Sequence, residues 1–163
     1  MTSEDDRPRE TAGSLRRRMR SAARLYAVQA LFQMEHSQQS TEAVRREFLN
    51  YRFGEPHDGA EMLDGDVDLF GRILDDAVNW QSRIDRMTDR ALVDRWPIDR
   101  IDPTLRALFR AAGAELVASD TPPRVVITEY VTVARAFFPE GKEGDFVNAI
   151  LDHMARAAHP EAF

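Results

Sequence analysis

Apolar residues recur at helical spacing through most of the chain, and this pattern predicts an all-α protein. The first predicted helix runs from about Ser14 to His36. Its inward stripe consists of Leu15, Met19, Ala22, Ala23, Tyr26 and Ala30. A second apolar stripe in its later turns consists of Leu25, Val28 and Phe32. The later turns are therefore either buried on two sides or offer one side to a partner.

Capping residues and prolines predict the helices of the first half and the middle of the chain. Ser40 or Thr41 is suited to cap a short helix. A long helix is expected from about Asp66 through residue 87, with Trp80 in its apolar stripe. Residues 91–96 are compatible with a further short helix that Pro97 stops.

Three more helices are expected in the last third of the chain. Asp102-Pro103 is a strong helix start, and Pro122-Pro123 begins the next helix. The last helix follows the turn at 139–144. No alternating strand or hairpin turn pair is present, so the pattern indicates about seven helices in all.

The domain organisation follows from the same pattern. Residues 1–13 lack apolar content and are expected to form a disordered arm. Residues 14–158 are expected to form a single helical domain. The stretch 53–65, rich in glycine, reads as a loop and is the best candidate for a boundary between two halves, about 14–60 and 61–158.

Composition excludes several classes of protein. The chain has no cysteine, so disulfides, thiolate catalysis and cysteine metal sites are excluded. No apolar run approaches the roughly 20 residues that span a bilayer, and the N-terminus has no apolar region typical of a signal peptide. A cytoplasmic protein without membrane association is therefore expected.

Positive charge is concentrated in one short segment. Five arginines, Arg16, Arg17, Arg18, Arg20 and Arg24, lie in a segment without acidic residues, although the formal net charge of the chain is −6. The i, i+4 spacing of Arg16, Arg20 and Arg24 places them on one row of the first helix. A cationic helix end on an acidic protein attracts polyanions, and guanidinium groups suit phosphates and base edges. RNA or DNA is the first partner to consider, although such a cluster is also compatible with a solvated face.

Candidate chemistry elsewhere is weak. The acidic residues Glu61, Asp64, Asp66 and Asp68 read better as a loop followed by a helix cap than as a cation site. The four histidines lack the spacing of metal ligands, and neither a P-loop nor a Rossmann fingerprint is present. We therefore expect no metal, no cofactor and no catalytic residue.

Three stretches, taken in order, carry a resemblance to a known family. They are the helix segment RLYAVQALF at 24–32, the segments LFRAAGAEL and PPRVVITEYV at 108–116 and 122–131, and FVNAILD at 146–152. Together they resemble the transcription antitermination factor NusB family over roughly residues 16–157. The arginine cluster lies one helical turn earlier than is usual for that family, and Ala149 stands where a glycine is usual.

The resemblance implies a fold and a function. Its members are all-helical, with two small helical bundles packed together, and they are not enzymes. They bind a short single-stranded boxA RNA element together with the ribosomal small-subunit protein NusE, and the pair joins the elongating RNA polymerase complex. The implied RNA-binding residues are Arg16, Arg17, Arg20, Arg24, Phe146 and Asn148, although Asn148 is equally suited to cap a turn. The implied NusE contacts are Phe32, Asp99 and Leu105.

Two other functions stay open at this stage. NusB-like helical domains also form the RNA-binding part of ribosomal RNA cytosine methyltransferases, and this chain lacks the cofactor-binding βαβ unit of such enzymes. A protein–protein adaptor without an RNA role is the other alternative, with the arginines binding an acidic partner. Some family members form homodimers, and the second apolar stripe supports self-association as well as NusE docking.

Overall fold

Seven α-helices account for most of the described residues in a computed structural model, which describes residues 11–53, 56–57, 60–61, 65–92 and 100–163. They are α1 (Ala12–Ser37), α2 (Thr41–Glu47), α3 (Val67–Asn79), α4 (Gln81–Ala91), α5 (Pro103–Ala118), α6 (Pro123–Phe137) and α7 (Glu143–Ala158). A π-helical turn, Phe48–Arg52, follows α2, and a 3-10 turn, Pro160–Ala162, follows α7. The all-α prediction with about seven helices is confirmed.

The predicted loop at 53–65 contains one feature that the pattern did not predict. Two short strands, β1 (Pro56–His57) and β2 (Ala60–Glu61), pair antiparallel, with Pro56 opposite Glu61. Two residues on each strand are too few to show an alternation of apolar and polar positions.

Side-chain caps fix where the helices begin. Thr11 Oγ1 accepts a hydrogen bond from the Ser14 amide at 3.0 Å, so α1 begins two residues earlier than predicted. The predicted caps Ser40 and Asp102 are confirmed, since their side chains accept from backbone amides at the start of α2 and α5. The predicted arm at 1–13 overlaps α1 at its end, and residues 1–10 lie outside the described residues.

One predicted helix is in fact two. The single helix expected from about Asp66 is interrupted at Trp80, whose backbone (φ −111°, ψ 15°) is not helical and separates α3 from α4. The expectation that Trp80 belongs to the core is also wrong, because the side chain is 42% exposed. The guanidinium of Arg83 lies 5.8 Å from the centre of its ring.

Helix α5 is the centre of the fold. It packs against α1, α3, α4, α6 and α7, and eleven of its sixteen residues are buried. Gly113 allows α4 to come close, because a Cβ at this position would overlap with Ile84. Helix α1 packs against α2 in the first predicted half and against α3, α5 and α6 in the second. The division into two halves stays a prediction.

The remaining predictions concern membrane-spanning helices and the segment before α5. None of the helices in the described part of the chain has the length and apolarity needed to cross a membrane. Residues 93–99 lie outside the described residues. The predicted short helix at 91–96 and the predicted partner contact Asp99 fall largely or wholly in that segment.

Candidate nucleic-acid interface

The first turns of α1 form an arginine face. Arg16, Arg17 and Arg18 are exposed and Arg20 is half-buried, and the first turn of the helix holds no acidic residue. Among the described residues, Arg16, Arg17 and Arg20 form no ion pair. Leu15 was expected to point inward but is 39% exposed beside them. Cationic and apolar groups therefore lie together on this surface, which we call the arginine face (residues 15–20).

Arg24 differs from the other arginines because it is buried. Only 3% of the residue is exposed. Its Nε and Nη2 donate to the Glu115 carboxylate at 2.8 and 3.0 Å, and Nη1 lies 3.6 Å from Glu129. The expectation that Arg24 binds RNA conflicts with this geometry. The physical reason is that each four-residue step turns about 40° around the helix, so the row of arginines winds from solvent into the bundle.

Glu115 is the centre of a buried polar network. Besides the two bonds from Arg24, its carboxylate accepts from the Tyr130 hydroxyl at 2.6 Å and from Thr121 Oγ1 at 3.0 Å. Complete burial, and then the adjacent Glu115 carboxylate, raises the pKa of Tyr130 well above its ordinary value, so the hydroxyl keeps its proton and donates. Burial lowers the pKa of Arg24, but the hydrogen bond and charge of Glu115 outweigh it and the net shift is upward. The network holds α1, α5 and α6 in one register.

Glu129 anchors the edge of the arginine face. Its carboxylate accepts a hydrogen bond from Ser21 Oγ at 3.0 Å and lies near Arg24. Glu129 therefore binds α1 through both a guanidinium and a hydroxyl group. Because Ser21 follows Arg20 directly, this contact fixes the position at which α1 leaves solvent and enters the bundle.

The FVN motif lies in the first turns of α7. Phe146 is half-buried, and its ring meets that of Phe109 edge-on with centroids 6.1 Å apart. Asn148 and Ala149 are exposed, whereas Val147 is buried. Asn148 is the sixth residue of α7 and cannot cap its start, which removes the capping interpretation. Its amide is accessible to a ligand.

The structure places the two groups of predicted RNA-binding residues at different levels along α6. Ser21 contacts Glu129, and farther along Phe32 and Phe137 line one groove, so α1 and α6 run in the same direction. The arginine face therefore lies at the end where α6 begins, whereas Phe146 follows the end of α6. Ser21, which follows Arg20, contacts Glu129, whereas Gly144, two residues before Phe146, packs against Arg135. The six residues from Glu129 to Arg135 span roughly 9 Å along α6 at 1.5 Å per residue.

Phe32 lies on the surface at the same end as Phe146. It is 36% exposed, and its ring stacks on His36 with centroids 4.2 Å apart. A groove of about 460 Å³ beside it is lined in part by Val28, Phe48, Arg52, Thr104 and Phe137. Leu105, the other described residue of the predicted partner surface, is only 7% exposed. Leu105 does not line this groove and offers little surface to a partner.

An ion-pair cluster supports the last turns of α1 from the other side. The Arg106 guanidinium donates to both oxygens of Glu35, and Arg110 bridges Glu35 at 3.1 Å and Asp85 at 3.0 Å. The hydrogen bond from Arg106 is the main cause that lowers the pKa of Glu35. Sequence reasoning missed this cluster, although the basic residues of the LFRAAGAEL helix are its signal.

Comparisons with known proteins agree with this fold. The sequence model of the NusB family matches residues 21–156, a span that begins just after the arginine face. The chain is 44% identical over 156 residues to the transcription antitermination protein NusB of Maricaulis maris, covering 95% of this chain and 97% of that protein. It is 47% identical over 154 residues to the protein of the same name from Granulibacter bethesdensis, covering 91% and 94%.

Solved structures give the same result for the fold. T. maritima NusB superposes with a TM-score of 0.67 at 26% identity, covering 88% of this chain and 95% of that one. A crystal structure of the antitermination factors NusB and NusE in complex with double-stranded RNA superposes with a TM-score of 0.66 at 24% identity, covering 86% and 98%. With the family match over most of its length, the chain belongs to the NusB family.

Proposed function

We propose that this chain is a transcription antitermination factor that binds boxA-type single-stranded RNA together with NusE and joins the elongating RNA polymerase complex. The observation that carries the proposal is the arginine face. Three arginines without a carboxylate partner among the described residues lie at one end of a protein whose net charge is −6. Relatives up to 47% identical to it are named transcription antitermination proteins. The role is that of a cytoplasmic adaptor without catalysis.

Two contact zones are proposed for the RNA. Arg16, Arg17 and Arg20 contact phosphates and supply most of the affinity, because such contacts release counterions. Phe146 and Asn148 supply a stacking surface and an amide that can read a base edge.

NusE is proposed to dock on the groove beside Phe32. The half-exposed ring and its apolar neighbours Val28 and Phe137 provide the buried core that a stable interface needs. Because this surface and Phe146 share one end of the molecule, NusE bound there can extend the RNA surface of the FVN zone. Homodimerisation through the same groove would compete with NusE.

The proposal is tested by titrating fluorescently labelled boxA RNA with the protein, in the presence and absence of NusE, and following anisotropy. Scrambled single-stranded RNA and a duplex of the boxA sequence serve as controls. We expect binding to boxA that tightens with NusE, with the same coupling factor when NusE is titrated in the presence of RNA. Equal or absent binding to all three RNAs, with NusE present, would contradict the proposal and favour a protein–protein adaptor.

A further inference from the structure

A second cationic cluster lies where α6 begins and α7 ends. Arg124 is in the first turn of α6 and Arg156 in the last turn of α7, and both guanidiniums lie over the ring of Phe163. The distances from the two guanidinium carbons to the ring centre are 4.7 and 4.5 Å. We call these three residues the Phe163 cluster.

The Phe163 cluster lies at the same end of the molecule as the arginine face. Because α1 and α6 run in the same direction and Ser21 contacts Glu129, the residues one turn earlier on each helix, Arg17 and Val125, lie at a similar level along the two helices. Val125 is 41% exposed and directly follows Arg124. Arg124 and Val125 therefore place a cationic and an apolar side chain side by side on α6, as Arg16 and Leu15 do on α1.

The ring of Phe163 positions the two guanidinium groups so that their N–H groups can reach a phosphate. A guanidinium that lies flat on a ring keeps its N–H groups at the edge, where they can reach phosphate oxygens. Phe163 is half-buried and packs against the core, so it is a fixed support for them. Arg124 forms no ion pair among the described residues, whereas Arg156 Nε donates to Asp152 at 2.9 Å. Arg124 is therefore the stronger candidate for a ligand contact.

We propose that Arg124 and Arg156, held against Phe163, form a further RNA contact that continues the arginine face across the start of α6. The ligand is the phosphate backbone of the same single strand, and the exposed Leu15 and Val125 contact its unpaired bases. Phe163 is a positioning residue, because it acts through the two arginines. This inference rests on the proposed RNA-binding function.

The test compares the salt dependence of boxA binding, without NusE, for Arg124→Ala, Arg156→Ala, Phe163→Ala and Phe163→Tyr. Arg46→Ala is the charge-matched control, since Arg46 is exposed on α2, which packs against α1 and α3. We expect the slope of log K against log salt to fall by about 0.7 for Arg124→Ala, and by less for Arg156→Ala. Phe163→Ala should weaken RNA binding several-fold. Phe163→Tyr, which keeps the aromatic ring, should bind RNA as tightly as the wild-type protein.

Two results separate this inference from the proposed function, and a third tests the positioning role of Phe163. If the wild-type protein binds boxA but Arg124→Ala and Arg156→Ala match Arg46→Ala in slope and affinity, the inference is overturned and the proposed function stands. If the wild-type protein binds no RNA, both are overturned. A Phe163→Ala variant whose affinity falls although its salt slope and its melting temperature stay at the wild-type values would contradict the positioning role.

Discussion

Arg20 and Arg24 are one helical turn apart on α1, yet they lie in opposite environments. Arg20 is half-exposed and forms no ion pair among the described residues. Arg24 is almost completely buried against Glu115. The difference arises because α1 enters the bundle between these residues, at the contact of Ser21 with Glu129. The same residue type is therefore accessible to a ligand on one side of this point and holds the register of three helices on the other.

The largest effect is expected for the buried arginine. Arg24→Ala leaves the Glu115 carboxylate buried without its charged partner, so the free energy of unfolding should fall by about 3–5 kcal/mol. Arg20→Ala, as the control, should change it by less than about 0.5 kcal/mol. Urea unfolding followed by circular dichroism measures both. Equal stability of the two variants would mean that the comparison between the two arginines is wrong.

The opposite end of α1 carries the proposed partner surface. Phe32→Asp places a charge in the groove beside Val28 and Phe137, and should weaken NusE binding by about 2 kcal/mol or more. Val78→Asp is the matched control, because Val78 is also an exposed apolar residue but lies on α3. Calorimetric titration with NusE distinguishes them, and similar losses for both variants would count against docking at Phe32.

The FVN zone can be tested by a change that preserves packing. Phe146→Leu keeps an apolar contact with Phe109 but removes the flat ring on which a base can stack. We expect the boxA affinity to fall by about 1 kcal/mol, measured by anisotropy. Tyr51→Leu removes an exposed aromatic ring from the π-helical turn and should leave the affinity unchanged. Phe146→Leu with wild-type affinity would exclude stacking at this position.

The smallest effect concerns acid stability. The hydrogen bond from Arg106 lowers the pKa of Glu35 in the folded state. Glu35 therefore contributes stability that is fully present above its unfolded pKa, about 4.3, and is lost as the pH falls through the lower folded pKa. In Glu35→Gln, the free energy of unfolding should decline less steeply than in the wild-type protein as the pH falls below about 4.3. Urea unfolding at several pH values measures this decline. If the variant and the wild-type protein showed the same pH dependence, Glu35 would not be a source of the acid sensitivity.

Most of the fold could be predicted because its local signals agree with the tertiary structure. Ser40, Asp66 and Asp102 cap helices as their sequence positions suggest. The break at Trp80 could not be predicted, because the apolar stripe continues across it in phase. Ala77 and Ile84 are seven residues apart, which is close to two helical turns. No glycine or proline marks the interruption.

The candidate site was predictable only in part. The charge cluster identified Arg16, Arg17 and Arg20, and Phe32, Phe146 and Asn148 proved at least partly accessible. The burial of Arg24 depends on a partner 91 residues away, Glu115, and helical spacing alone does not contain that contact. A signal was present, however, since Glu115 is an acid within the apolar run 111–118 of α5 and a buried acid requires a cationic or hydrogen-bonding partner.

The central claim is that the exposed arginines of α1 bind the phosphates of an RNA strand. The most direct test is the salt dependence of boxA binding for a variant with Arg16, Arg17 and Arg20 replaced by alanine. The control variant replaces Arg46, Arg86 and Arg90, which are exposed on α2 and α4. If all three arginines contact phosphates, the slope of log K against log salt falls by about 2, whereas the control keeps the wild-type slope. An unchanged slope in the first variant would contradict the account.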